Sequence, residues 1–380
     1  MRMARMTPLL CMFMVACAAE EPAPSPDPAP VESPATSVAI SADWQNGTLS
    51  FLDADALLAP GGTFEDALIE RMPLAAPGEQ GPLNIVTTAD GTLAIVLRSN
   101  GVMAFVGARI GIDGDALPTA GSGVVIVDVE TRQVVADFPT ADLPIMAALD
   151  RPRNRVFVSL FGGTGTNGSI AVYDLDALEL VEQVEVAPAV EGLAINDAGT
   201  RGAVIGAGSG LYLFDPADVV GTLSQTPLKL SDDSSGVTFV SGTERVVVAN
   251  SVNPSNFAVV DASDLDAPVV IDEGDVLDTV PYMIGAVPNR EEVVMPVAGD
   301  GSLRLFHLDV SQTPARTLHE IEVDDVRTFP QAVTVDPAGR YAFIGAAGSK
   351  ELLIFDLRDG GVQRRPWLGE AGPTALAVAR

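Results

Sequence analysis

The chain has 380 residues and is strongly acidic, with 51 Asp and Glu against 22 Lys and Arg and a formal charge of −29 at pH 7. That balance excludes the basic face that nucleic-acid binding needs and the polybasic patch that docks on anionic lipid. Apolar residues make up 47 %, enough for a large core, whereas two cysteines and two histidines are little material for a zinc site or a Ser-His-Asp triad.

Arg2 and Arg5 open the chain, and Met6 to Ala16 is apolar. The run is shorter than the ~20 residues of a membrane-spanning helix, and the arrangement is that of a secretory signal. The segment ends Met14-Val15-Ala16-Cys17, which resembles the bacterial lipobox. The resemblance implies that Cys17 is lipidated and becomes the first residue of an extracytoplasmic protein. By analogy with lipoprotein sorting in enteric bacteria, Ala18 implies the outer membrane of a Gram-negative host. Residues 18–34 read AAEEPAPSPDPAPVESP, a Pro-rich tether that favours extended geometry. The expected layout is a signal over 1–16, a lipidated cysteine and tether over 17–35, and one folded domain over 36–380. Cys11 leaves with the signal, so the folded part has no disulfide, thiolate site or cysteine nucleophile.

The rest of the chain repeats a short apolar strand that ends on an acid. Its copies close at Asp53, Asp128, Asp174, Asp215, Asp261 and Asp356, with His307 standing in the fifth full unit as Leu305-Phe306-His307. From Asp128 the copies recur about every 40–50 residues, the period of a propeller blade or a solenoid turn. Full units start at Pro82, Pro144, Val190, Ser234, Pro281 and Pro330, and each predicts four short strands joined by Gly, Pro, Asn and Asp turns. Four antiparallel strands per unit make a blade. The last unit has one strand, Thr374 to Val378. Its missing partners stand at the other end: Ser37 to Ser41, Thr48 to Asp53 and Leu68 to Leu74. The spacing therefore predicts an all-β, seven-bladed propeller closed by its N- and C-terminal strands in one blade, which removes open sheet edges.

Two stretches, Val333-Thr334-Val335-Asp336-Pro337-Ala338-Gly339-Arg340-Tyr341-Ala342-Phe343-Ile344 and Leu353-Ile354-Phe355-Asp356-Leu357, resemble the YVTN-type propeller repeats of bacterial surface and periplasmic proteins, the YncE-like family. Weaker copies cover residues 37–380. The resemblance implies seven blades and says little about chemistry, because one fold hosts binders, scaffolds and enzymes.

The repeated acids are expected to accept backbone N–H bonds in the turn after the third strand, with His307 doing the same work and His319 exposed on an outer strand. The residues opening the inner strands are expected to ring the channel mouth: Leu83, Ile145, Glu191, Ser235, Tyr282, Gln331 and Thr374. That ring has one acid and no base, so neither catalytic residues nor a metal site nor a cofactor are assigned. A second titratable group, which acid–base catalysis needs, is within reach only from Asp278, Asp325 or Arg327. An insertion over Gly101–Gly123 is the segment most suited to contact a partner. Gly206-Ala207-Gly208-Ser209-Gly210 reads as a hairpin turn and not a phosphate cradle. The expected function is a monomeric, lipid-anchored binding or scaffold module for an envelope protein or small ligand. A lactonase-like hydrolase and a structural surface component are the alternatives.

Overall fold

The fold was analysed in a computed structural model that describes residues 37–74, 81–99, 121–162, 167–206, 208–231, 233–250, 256–275, 280–298, 301–326, 332–367 and 372–379. The signal, the tether and most of the Gly101–Gly123 insertion lie outside them.

The chain from residue 37 is a seven-bladed propeller. The N-terminal blade contributes β1 (Val38–Asp43), β2 (Thr48–Asp53), two short helices α1 (Ala54–Leu58) and α2 (Phe64–Ala67), and β3 (Leu68–Pro73). Blade 1 is β4 (Pro82–Thr87), β5 (Leu93–Arg98), β6 (Gly123–Asp128) and β7 (Gln133–Pro139). Blade 2 is β8 (Leu143–Asp150), β9 (Arg155–Phe161), β10 (Asn167–Asp174) and β11 (Glu179–Pro188). Blade 3 is β12 (Val190–Ile195), β13 (Gly202–Gly206) and β14 (Gly210–Phe214), followed by the helical turn α3 (Val219–Thr222). Blade 4 is β15 (Ser234–Phe239), β16 (Arg245–Asn250), β17 (Phe257–Asp261) and β18 (Val269–Gly274). Blade 5 has a split inner strand, β19 (Val280–Pro281) and β20 (Gly285–Ala286), then β21 (Glu292–Ala298), β22 (Ser302–Asp309) and β23 (Arg316–Asp324). Blade 6 is β24 (Val333–Val335), β25 (Tyr341–Ala346), β26 (Glu351–Asp356) and β27 (Gly361–Pro366). The last strand, β28 (Ala375–Ala379), is the inner strand of the N-terminal blade, here blade 7.

The closure predicted from the sequence is present. β28 lies antiparallel to β1 from Val38↔Ala379 to Ala42↔Ala375, and Thr374 N–H adds a bond to Ala42 O at 2.9 Å. Inner strands touch their neighbours in sequence around the ring, β28 to β4, β8, β12, β15, β20, β24 and back to β28. Apolar side chains alternate along each strand, so both faces of a blade bury a stripe. Ile40, Ala42, Leu49 and Phe51 of blade 7 pack on Ile85, Ala94 and Val96 of blade 1. Ala39 and Leu52, on the opposite face, pack on Phe343, Leu352 and Ile354 of blade 6. Period-two burial on both sides is what a blade between two blades requires.

All seven blades end their third strand on the same turn. Asp53, Asp128, Asp174, Asp215, Asp261, Asp309 and Asp356 each accept a backbone N–H two or three residues on, at 2.7–3.0 Å. In blade 5 the acid is Asp309 and not His307, because Asp309 pairs with Glu292 as Asp261 pairs with Arg245. His307 lies two residues earlier, 1 % exposed, with Nε2 2.8 Å from Glu292 Oε2. His319 is half-buried rather than exposed: its ring stacks on His307 at 5.7 Å between centroids.

The outer edges are blunted, as free strand edges require. Five of the outer strands carry a bulge whose extra residue is Ile69, Val135, Val181, Ile271 or Leu318. In blade 3 the fourth place is filled without a regular strand. Leu211 bridges Leu228, Ser224 Oγ accepts from Leu213 N at 3.0 Å, and Thr222 Oγ1 accepts from Asp215 N at 2.8 Å. Blade 6 has a regular outer strand, and there Arg365 donates to Leu57 O and Ala59 O of the α1 region while Phe64 packs on Trp367 at 4.0 Å. Among the described residues no helix is long and apolar enough to cross a membrane.

Candidate functional site: the channel mouth

The inner strands do not run straight to the mouth. Each of blades 1–4 inserts one extra residue there: the register shifts fall between Pro82 and Asn84, Pro144 and Ala147, Val190 and Leu193, and Ser234 and Val237. Leu83, Ile145, Glu191 and Ser235 therefore sit in bulges, devices that re-aim a side chain and are common beside binding sites. In blade 5 the equivalent irregularity is the gap between β19 and β20, which holds Tyr282. Thr374 stands just before β28. Gln331 lies outside the described residues, as do Asp278 and Arg327; Asp325 is exposed in a left-handed turn (φ 57°).

The bulges bring neighbouring backbones close together, and glycine permits it. A Cβ on Gly192 would lie 2.3 Å from Ser235 O, and one on Gly236 would lie 2.5 Å from Tyr282 O. Such separations leave no room for a side chain, so these inner strands need glycine at the crossing.

Polar contacts then lace blade to blade. Asn84 Nδ2 reaches Met146 Sδ at 3.1 Å, and Ser159 Oγ accepts from Met146 N at 3.0 Å and donates to Glu191 O at 2.6 Å. Thr374 Oγ1 donates to Ala42 O at 3.0 Å and to Pro82 O at 3.3 Å, joining blade 7 to blade 1. Tyr282 OH donates to Glu191 Oε2 at 3.0 Å. That last bond links blade 5 to blade 3 past blade 4, so two of the sequence-selected polar residues meet at the mouth.

Leu83, Ile145, Ser235 and Thr374 are buried, Tyr282 is nearly so, and Glu191 is half-buried. Glu191 is the one carboxylate at the mouth end of the described inner strands. Asp150, the other inner-strand acid, lies at the opposite end, fully buried and held by Arg153 at 3.1 Å and Arg155 at 2.9 Å. Among the described residues no three His, Cys, Asp or Glu are placed to hold a metal ion. The mouth ends of the described inner strands thus offer one carboxylate, one phenol and several hydroxyls on an apolar ring. That set can orient and hydrogen-bond a ligand; acid–base chemistry needs a second titratable group in contact.

Sequence reasoning missed the arginines that fasten the far face. Arg155 and Arg245 stand opposite the repeated acid of their own blade, and Arg201 directly precedes the second strand of blade 3. Each donates to carbonyls just past the acid of the next: Arg155 to Pro216 O, Arg201 to Ala262 O at 3.1 Å and Ser263 O at 2.7 Å, Arg245 to Val310 O at 2.6 Å. The recurrence of Arg immediately ahead of the second-strand apolar run was the signal available for them.

No family model matches the sequence, and no curated protein does. Solved structures match in fold. A functionally unknown protein from Desulfotomaculum acetoxidans has a TM-score of 0.65 at 13 % identity, covering 87 % of this chain and 99 % of its own. A protein from Bacteroides uniformis assigned as a 6-phosphogluconolactonase has a TM-score of 0.64 at 11 % identity, covering 91 % and 100 %. The WD40 repeats of RRP9 have a TM-score of 0.59 at 11 % identity, covering 82 % and 84 %. At such identities the likeness is one of fold: a seven-bladed propeller with lactonase-like and WD40-type neighbours.

Proposed function

We propose that this chain is a lipid-anchored, extracytoplasmic propeller of the YVTN type that binds an envelope protein or a small ligand at its channel mouth. The observation that carries the binding reading is the ring of inner-strand bulges presenting Leu83, Ile145, Glu191 and Ser235, joined across blade 4 by the Tyr282–Glu191 bond. The anchor reading rests on Met14-Val15-Ala16-Cys17 and the Pro-rich stretch after it. Mass spectrometry of the mature N-terminus tests the anchor: a diacylglyceryl cysteine at position 17 is expected, lost in Cys17→Ala, and an unmodified or differently cleaved N-terminus contradicts it. Affinity capture from envelope extracts tests the mouth. Partners retained by the wild type and lost by a Glu191→Gln, Tyr282→Phe double variant support it; equal capture by both contradicts it.

A lactonase-like hydrolase is the second reading, favoured by the fold neighbours assigned as 6-phosphogluconolactonases. The single carboxylate on the described inner strands of the mouth, Glu191, weighs against it, because hydrolysis by general acid and base asks for two groups in contact, and Asp43 on β1 is buried and held by Ser50, Ser41 and Thr48. Lactone hydrolysis by the purified protein that falls at least tenfold in Glu191→Gln would reverse this ranking.

A further inference from the structure

Blade 5 differs from its neighbours at both ends. At the far face, blades 2, 3 and 4 grip the next blade through Arg155, Arg201 and Arg245. The matching place in blade 5, opposite Asp309, is occupied by Glu292. Glu292 does not reach for blade 6. It accepts from His307 Nε2 at 2.8 Å, and the His307 ring stacks on His319. At the mouth, blade 5 has the split inner strand, and β21 pairs with both pieces: Ala298 and Val297 with β19, Val294 and Val293 with β20. One strand therefore runs from Glu292 at the far face to the broken inner edge beside Tyr282.

We infer that blade 5 is an acid-responsive segment of the ring: protonation of His307, enclosed between Glu292 and His319, loosens its seam with blade 6 and frees β21 to move the mouth. His307 is fully enclosed, with Nε2 on Glu292 and Nδ1 without a hydrogen-bond partner among the described residues. A proton taken at Nδ1 creates a buried N–H donor facing no acceptor, and leaving such a group unsatisfied is unfavourable. The groups around the row are few. Arg290 on the preceding turn leans on Glu292 at 3.5 Å. Asp309 at the end of β22 is taken up by Ser311 and Arg316. On the blade 6 side, Gly360 of the turn after β26 sits against His319, so near that a Cβ there would be 3.3 Å from Nδ1. In that turn Asp356 pairs with Arg340 and Arg358, and Asp359, beside Gly360, accepts from Gly361 N–H at 2.8 Å. Enclosure lowers the His307 pKa against the opposing pull of Glu292. Folded protein therefore binds fewer protons there than unfolded chain, and the seam weakens as pH falls below the ordinary imidazole range.

Hydrogen exchange on the full chain at pH 7.5 and 5.5, corrected for intrinsic rates, tests this. Peptides covering β21, β22 and the turn at Gly360 should exchange several-fold faster at pH 5.5, while those spanning the seams held by Arg155 and Arg201, which do not touch blade 5, stay unchanged. The His307→Gln variant, which keeps a donor for Glu292, should lose the difference. Uniform exchange in all blades, or a difference that survives in His307→Gln, overturns the inference. Should that variant fail to fold, the wild type still decides. The sequence has two histidines, so imidazole resonances are assignable with His319→Gln, and a His307 that titrates at or above the free value overturns it as well.

Discussion

Asp43 and Asp356 show how surroundings set one residue type to opposite purposes. Asp43 is fully buried at the mouth end of β1, where Ser41 donates at 2.7 Å and Ser50 and Thr48 also donate. Burial pushes its carboxyl up to about 6, against the pull of Ser50, Ser41, Arg71 and Thr48. Because the folded pKa is raised, the favourable contribution is complete below about 4 and is lost as pH rises through about 6. Asp43→Asn should flatten stability between those values and gain roughly 3 kcal/mol at pH 8, at about 1.4 kcal/mol per pKa unit; urea melts at pH 4 and 8 check it, and an unchanged pH dependence refutes it. Asp356 is the reverse. Arg358 chiefly, with the Arg358 N–H and Arg340, holds its carboxyl down to about 2 against the modest effect of burial. Its contribution is present above the ordinary carboxylate range and lost as pH falls toward about 2. Asp356→Asn should therefore remove part of the acid sensitivity between pH 4 and 2 and cost about 1 kcal/mol near neutrality, read from thermal melts at both ends of that window.

At the scale of the element, the strands were legible and their irregularities were not. Alternating apolar residues and Asp-Pro-Ala-Gly or Asn-Gly turns mark strand and hairpin directly, and β2 runs over Thr48–Asp53 as the sequence implies. The acid of blade 5 was misread because Leu305-Phe306-His307 is as apolar as a true strand end. The better signal was Asp309-Val310-Ser311, which repeats the Asp261-Ala262-Ser263 turn. Mouth bulges could not be read, because a two-against-one register depends on the partner strand and not on local pattern. The Glu191–Tyr282 bond spans residues of different blades, a closeness that only the ring creates. Two predictions belong here. Arg201→Ala should lose the bonds to Ala262 O and Ser263 O and destabilise by about 1–3 kcal/mol, and Arg201→Lys should recover less than half, since a single ammonium cannot match the fork; denaturant midpoints decide. Gly236→Ala should destabilise by more than the ~1 kcal/mol typical of point substitutions, because its Cβ meets Tyr282 O at 2.5 Å; an unchanged midpoint would mean that the inner strands are free to part.

The whole molecule is a ring whose stability depends on every seam, since each blade buries both faces against neighbours and none is a domain alone. Arg155, Arg201 and Arg245 grip the next blade at the far face, Arg364 and Arg365 tie blade 6 to Asp324 O of blade 5 and to Leu57 O and Ala59 O of blade 7, and the two ends of the chain meet inside blade 7, where β28 supplies the inner edge on which β1 is laid. That arrangement keeps residues 373–379 from being a frayed tail, and it places Thr374 where its hydroxyl ties blade 7 to blade 1. Without β28, the inner edge of β1 and the core residues that Ala375 and Ala377 pack against, such as Ile40 and Ile85, would be open, and an unpaired apolar edge invites association. Thermal unfolding of the chain ending at residue 372, followed by circular dichroism and compared with the full chain, is the most direct test of this closure. The ring account predicts loss of the cooperative transition or a midpoint lowered by more than 10 °C, roughly what the loss of several kcal/mol produces in a chain of this size, together with aggregation. A truncated protein that melts cooperatively at the full-length midpoint would contradict it.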